Sequence, residues 1–160
     1  MSSFGVATGI VGLVVITVKL IDLLYGMSDS IPKSSRLLDA IRNLHVVLER
    51  VLSEYSMTIR SFPQLELNVA TTILRDCIQE ITSTCTEYDA LLQRIKAQMG
   101  GLRQLKWRLS EGERGELDRR LEAGKSTLQI FMTLLRYVVT QTRPSRVITC
   151  DYRVVMLTVT

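Results

Sequence analysis

Apolar residues recur every three or four positions along most of this chain, the spacing that one face of a helix requires. From about Lys33 to Met57 they are Leu37, Leu38, Ile41, Leu44, Val47, Leu48, Val51, Leu52 and Tyr55. From about Leu65 to Met99 they are Leu74, Cys77, Ile78, Ile81, Cys85, Tyr88, Leu91, Leu92, Ile95 and Met99, in steps that favour near-antiparallel packing and make this helix the spine. A further stripe, Leu117, Leu121, Leu128, Phe131, Leu135 and Val138, predicts a helix from about Ser110 to Gln141. Ser110 and Glu113 match a capping box at its start. The opening segment, Ser3 to Tyr25, is different: Phe4 to Val18 carries no charge at all. Breaks fall at Gly26 with Ser28-Asp29-Ser30 and Pro32, at Ser61-Phe62-Pro63, at Gly100-Gly101 and at Pro144. Leu102 to Leu109 reads as a short basic amphipathic connector, helical or irregular. The pattern predicts an all-α protein, a multi-helix bundle of four main helices over residues 1–142 with a hydrophobic helix over 1–25. Residues 143–160 form a short tail outside the bundle. Val147, Ile148, Tyr152, Val154 and Val155 make it strand-prone, and a lone strand without a sheet packs on the bundle or stays disordered.

Composition narrows the class. Apolar residues make up 46% of 160, too many for a disordered chain. Three prolines, nine glycines and 6% aromatics exclude a collagen-like or proline-rich chain and disfavour a β-sandwich. The net charge of +4 is mild, but Arg94, Lys96, Arg103, Lys106 and Arg108 lie in one stretch with no acidic residue among them. Such a stretch suits phospholipid head groups, or is simply a solvated face. Trp107 is its only aromatic, so nothing interleaves with the charges to stack bases, and no nucleic-acid partner is expected. Trp107 is expected to anchor the connector, partly buried against the last helix.

Catalytic chemistry is not apparent. Cys77, Cys85 and Cys150 form no ligand pair at metal spacing, and an odd count suits a reducing compartment. They read as small buried hydrophobes. His45 is the single histidine and sits in a helical run as a half-buried or surface residue. Gly124-Lys125-Ser126-Thr127 imitates the end of a phosphate loop, but Arg119 stands where the leading glycine belongs and the segment is mid-helix. It reads as an accident on a solvent face. No catalytic, cofactor or metal site is expected, and the chain is read as a non-enzyme.

The charge-free run carries the sharpest question. No basic residue precedes it and no small-residue cleavage pattern follows, so a secretory signal does not fit. As a helix it spans ~22 Å, short of the ~30 Å hydrocarbon core. Extension to Tyr25 reaches ~33 Å but takes in Lys19 and Asp22. Gly5, Gly9 and Gly12 are spaced to let two helices approach closely in lipid, and glycine is otherwise a poor helix former. Phe4, Gly5, Gly9, Gly12, Val14 and Ile16 are the residues expected to insert or pair; tight packing inside a soluble bundle is the alternative.

Ser3-Phe4-Gly5-Val6-Ala7-Thr8-Gly9-Ile10-Val11-Gly12-Leu13 resembles the start of fungal HeLo-like domains, which stand at the N-terminus of STAND and NOD-like receptor proteins. Leu105-Lys106-Trp107-Arg108-Leu109-Ser110-Glu111-Gly112-Glu113 is similar to that family's tryptophan-centred segment, and Leu117 to Leu128 to the pattern after it. The resemblance covers roughly residues 1–140. It implies a helical bundle that couples receptor oligomerisation to defence or programmed cell death, in some members through release of the N-terminal helix into a membrane. It further implies a homo-oligomer, a NOD-like receptor partner, an anionic membrane surface and a cytoplasmic, membrane-associating location. A soluble adaptor without membrane activity is the other reading. The family's arrangement would place a nucleotide-binding module beyond Thr160.

Overall fold

A computed structural model describes residues 3–63 and 68–142, and among these the chain is helical throughout. Five α-helices follow in order: α1 (Ser3–Met27), α2 (Ser35–Ser61), α3 (Asn68–Lys96), α4 (Gly101–Leu109) and α5 (Glu111–Thr142), with one 3-10 turn, Pro32–Ser34, before α2. The strand-prone tail, 143–160, and the predicted start of the third helix at Leu65 lie outside the described residues.

Helix α1 runs through Gly26 and stops two residues later than the pattern predicts. The turn after it is closed locally, with Ser30 N–H and Ile31 N–H both donating to the Met27 carbonyl at 3.0 and 2.9 Å. Ile31 is buried and pins the turn to the core. Helix α2 begins at Ser35, because Pro32 suits the first position of the tighter turn that precedes it. It ends beyond the predicted Met57, at Ser61, before the extended Phe62 and Pro63.

The long helices pack in a closed cycle: α1 on α2 and α3, and α5 on α3 and α2. Helices α1 and α3 run parallel, since Gly9 faces Ile78 and Lys19 Nζ meets Asp89 Oδ2 at 3.0 Å, an equal advance along both. Helices α2 and α5 are also parallel. Leu37 shares a cleft with Arg114 near the start of both, and further along Arg136 Nε bonds Glu54 at 3.0 Å. Next to this second point Tyr55 packs on Phe131 with ring centroids 6.2 Å apart. Helices α3 and α5 run antiparallel. Arg120 bridges Glu80 and Glu87, both at 2.9 Å, and Arg94 bonds Glu113 at 2.8 Å. Exposed pairs of this kind contribute little singly, ~0–1 kcal/mol, and their value here is register. The core they surround is apolar: Ile10, Leu13, Leu20 and Leu24 of α1 are buried with Leu48, Leu74, Ile81 and Leu128.

Two expectations need correction. The third helix ends at Lys96 rather than Met99, and Gly100-Gly101 does not close it but opens α4. Gly100 takes φ 53°, a left-handed conformation that glycine adopts without strain. The last turn of α3 is finished by a side chain: Arg103 donates to the carbonyls of Gln98 at 3.2 Å and Lys96 at 3.1 Å. The capping box is also not formed. The Ser110 hydroxyl donates to the Trp107 carbonyl at 2.8 Å, and Glu113 reaches out to Arg94 instead. The Ser110 N–H, which Glu113 would accept from in the box, already donates to the Lys106 carbonyl at 3.1 Å.

Gly124 is a further correction, because it is buried rather than on a solvent face. It marks a close approach of α3 and α5. A Cβ there would stand 2.5 Å from Ile81 Cγ1, and the Cys77 thiol donates to the Gly124 carbonyl at 3.4 Å. A methyl at this point forces Ile81 to shift, at ~1–3 kcal/mol, which outweighs the ~1 kcal/mol that alanine gains in helix propensity. Gly115, with nothing within 4 Å, has only the gain. In thermal denaturation, Gly124→Ala is expected to lower the midpoint and Gly115→Ala to raise it. Equal shifts of the same sign would show that α3 and α5 do not meet closely at Gly124.

Candidate functional site

Helix α1 combines a buried face with an exposed one that is uncharged up to Val18, before Lys19 and Asp22. Val6, Ile10, Leu13, Thr17, Leu20 and Leu24 are buried against α2 and α3. Two polar contacts fix its position. The Thr17 hydroxyl donates to the Val14 carbonyl at 2.7 Å and so accepts from His45 Nδ1 at 2.8 Å. Asp89 takes the Lys19 ammonium on one oxygen, while its other oxygen is buried and has no partner among the described residues. On the opposite side Gly5, Thr8, Val11, Gly12, Val15 and Val18 are exposed, Val15 to 62%. Helix α2, by contrast, turns Arg36, Asp39, Glu49 and Arg50 to water. The α1 segment Gly5–Met27, 23 residues with a mean hydropathy of 2.1, is long and apolar enough to cross a membrane.

The residues expected to insert or pair therefore divide. Gly9 faces Ile78, and a Cβ at Gly9 would stand 3.5 Å from the isoleucine methyl, whereas Gly5 and Gly12 face open space. Val14 and Ile16 are half-buried at the edges of the core. Phe4 is in α1, and its side chain lies outside the described residues. The three glycines thus do not form one seam inside the resting fold.

The second region is the end of the molecule where α4 lies. Trp107 is buried at 3% exposure beneath α4. Arg114, on α5, stacks its guanidinium 3.9 Å from the indole centroid and donates to the Trp107 carbonyl at 2.9 Å. Arg103 and Gln104 bind the α1–α2 turn, to the Ser30 hydroxyl at 3.0 Å and its carbonyl at 3.2 Å. The five basic residues of the stretch are accordingly unequal. Arg94 is taken by Glu113 and Arg103 by the α3 terminus and Ser30, while Lys96, Lys106 and Arg108 are exposed. Beside Trp107 a cleft of about 530 Å³ opens between α2 and α5, where cations (Lys33, Arg36, Lys125) and acids (Asp118, Glu122) are mixed. Lys125 is paired with Glu122 at 2.7 Å, so it is not posed as a phosphate ligand. Among the described residues no group of three or more His, Cys, Asp or Glu is placed to hold a metal ion.

Sequence reasoning missed the contacts that position these features. His45, Asp89, Arg103 and Arg114 each act across helices, where periodicity carries no signal. The outward leucines of α4 were within reach, since Leu102, Leu105 and Leu109 share a helix face opposite Trp107. No protein-family model, curated protein or solved structure matches the chain.

Two predictions arise here. Trp107→Ala removes a buried ring together with its guanidinium stack and is expected to cost ~3 kcal/mol or more, read as the shift in urea unfolding. A loss below ~1 kcal/mol would show that α4 is held by its hydrogen bonds alone. The second concerns alkali. Burial pushes the Cys77 thiol up to about 11 and the Cys85 thiol up to about 12, from an ordinary 9.0. Burial and the hydrogen bond to Asp118 raise the Tyr88 hydroxyl above its ordinary 10.0. The unfolded chain loses these protons first, so the stability they confer is complete below pH 9 and declines as pH rises toward 12. The urea midpoint is expected to fall between pH 8 and pH 11, and less steeply in Cys85→Ala. A midpoint constant across that range would contradict the burial of these groups.

Proposed function

We propose that this chain is a non-enzymatic effector or signalling domain, a four-helix bundle buttressed by α4, of the fungal HeLo-like defence or programmed cell death type. It acts in the cytoplasm by oligomerising and by associating with membranes through α1, downstream of a receptor of the NOD-like class. The observation that carries the reading is the outward face of α1. A bundle helix facing only water gains from charges on that face, as α2 has them. Residues 5–18 of α1 offer none, and Val11, Val15 and Val18 stand in solvent there. A helix segment apolar all round, as residues 5–18 are, is equally at home in lipid, so its burial in the bundle can be exchanged for burial in a bilayer at small net cost. Gly5 and Gly12, open in the resting fold, supply close approach between inserted helices. The adaptor reading is favoured by the other face: Ile10, Leu13, Leu20 and Leu24 are built into the core. An adaptor leaves vesicles intact.

Deleting α1 would remove that core face and unfold the protein, so a substitution on the outer face is the better test. Val15 is at the midpoint of α1 and exposed. Val15→Asp is expected to leave helicity intact and stability within about 1 kcal/mol. At the centre of an inserted helix the same aspartate costs ~3 kcal/mol, about a hundredfold. Leakage of dye from anionic vesicles should therefore fall by at least tenfold. Leakage equal to that of the parent chain would rule out insertion of α1.

A further inference from the structure

The outward face of α4 carries exposed leucines among basic side chains. Leu102, Leu105 and Leu109 are 59%, 51% and 74% exposed, spaced so that they form one ridge. Met99, in the turn before α4, is exposed beside them. Lys106 shares the ridge, and Lys96 and Arg108 flank it. No aspartate or glutamate occurs from Ala90 to Ser110. Lys33 and Arg36 line the neighbouring pocket together with Arg108. Acids near this end include Asp29, Glu111, Glu113, Glu116 and Asp118, of which Glu113 is paired with Arg94 and Glu116 with Arg119, and none lies on α4 itself. The ridge is also held rigidly. Trp107 is buried on its inner side, and Arg103 and Gln104 tie α4 to the α1–α2 turn. Leucines kept in water by such a well-anchored helix are not the by-product of a frayed end.

We infer that this ridge docks the folded chain on an anionic lipid surface, with the three leucines entering the head-group boundary and Lys96, Lys106 and Arg108 meeting lipid phosphates. The inference rests on the membrane-association reading above and adds to it the surface that makes first contact, independently of α1 leaving the bundle. Shape and charge select lipid over the other occupants. The ridge is convex, so it offers no groove for a peptide. A second copy would bring Lys106 and Arg108 against their own equivalents. An apolar ridge with a cationic border is what an interfacial helix presents to anionic membranes.

The test is flotation of the full chain with vesicles of phosphatidylcholine containing one third phosphatidylserine, and with phosphatidylcholine alone. The parent is expected to bind the anionic vesicles at least tenfold more than the neutral ones. Leu102→Gln/Leu105→Gln/Leu109→Gln changes only exposed side chains to another good helix former, and is expected to lose at least tenfold in bound fraction with its circular dichroism unchanged. Lys106→Glu/Arg108→Glu, which leaves the leucines in place, should lose binding to a similar degree and serves if the triple variant does not fold. Parent-like binding by either folded variant overturns the inference. So does a parent chain that ignores anionic vesicles, or a self-associated parent that the glutamine variant converts to monomer. Val15→Asp separates this inference from the insertion reading: it should still float with the vesicles while failing to make them leak. If it leaks like the parent while the glutamine variant no longer binds, insertion of α1 is wrong and the ridge stands.

Discussion

The burial of α1 between α2 and α3 is the constraint on which the rest of the fold depends. Helices α2 and α3 lie across the bundle from one another, and α1 on one side and α5 on the other join them. Without Ile10, Leu13, Leu20 and Leu24, one side of that cycle would be open to water. Apolar burial sets the strength of this packing but is indifferent to what supplies the apolar surroundings. The polar contacts are not indifferent. Lys19 with Asp89 and Thr17 with His45 exist only while α1 is docked. Among the described residues Asp89 has Lys19 as its cation, and its second oxygen has no partner. The leucines thus set how strongly α1 packs, and these few groups set its register.

Much of the architecture was legible because helix periodicity is a local signal. The stripe from Leu74 to Ile95 and the stripe from Leu37 to Tyr55 each mark the buried face of one helix, with Cys77, Val47 and Leu52 half-buried at its edges. What was illegible depends on distance between elements. The spacing of Gly124 is that of a decoy motif, and only the approach of Ile81 from α3 explains why glycine stands there. Gly100 looks like a helix stop and instead starts α4, because Arg103 from the following helix satisfies the carbonyls that a glycine cap would have satisfied. Ser110 and Glu113 have the right spacing for a reciprocal cap, yet each finds a partner elsewhere.

The candidate site was legible in a similar proportion. The absence of charge from Phe4 to Val18 is plain in the sequence, but which residues of that run face outward is not. Structure separates Gly9, turned to Ile78, from Gly5 and Gly12, turned to open space. In the basic stretch the sequence shows five equivalent cations. Folding consumes Arg94 and Arg103 in holding helices together and leaves Lys96, Lys106 and Arg108 for the surface.

The bonds from Arg103 and Gln104 to Ser30 fasten the α1–α2 turn to α4 at one end of the bundle. Helix α1 is thus held at its C-terminal end by the chain itself, by buried Ile31 and by these two side chains. Its N-terminal end, 24 residues away and so ~36 Å distant, is held through the burial of Val6 and Ile10. If α1 leaves the bundle as the proposed function requires, the Ser30 bonds make its C-terminal end the pivot, so the glycine-bearing half would travel through the widest arc and Lys19 and Asp22 through a narrower one.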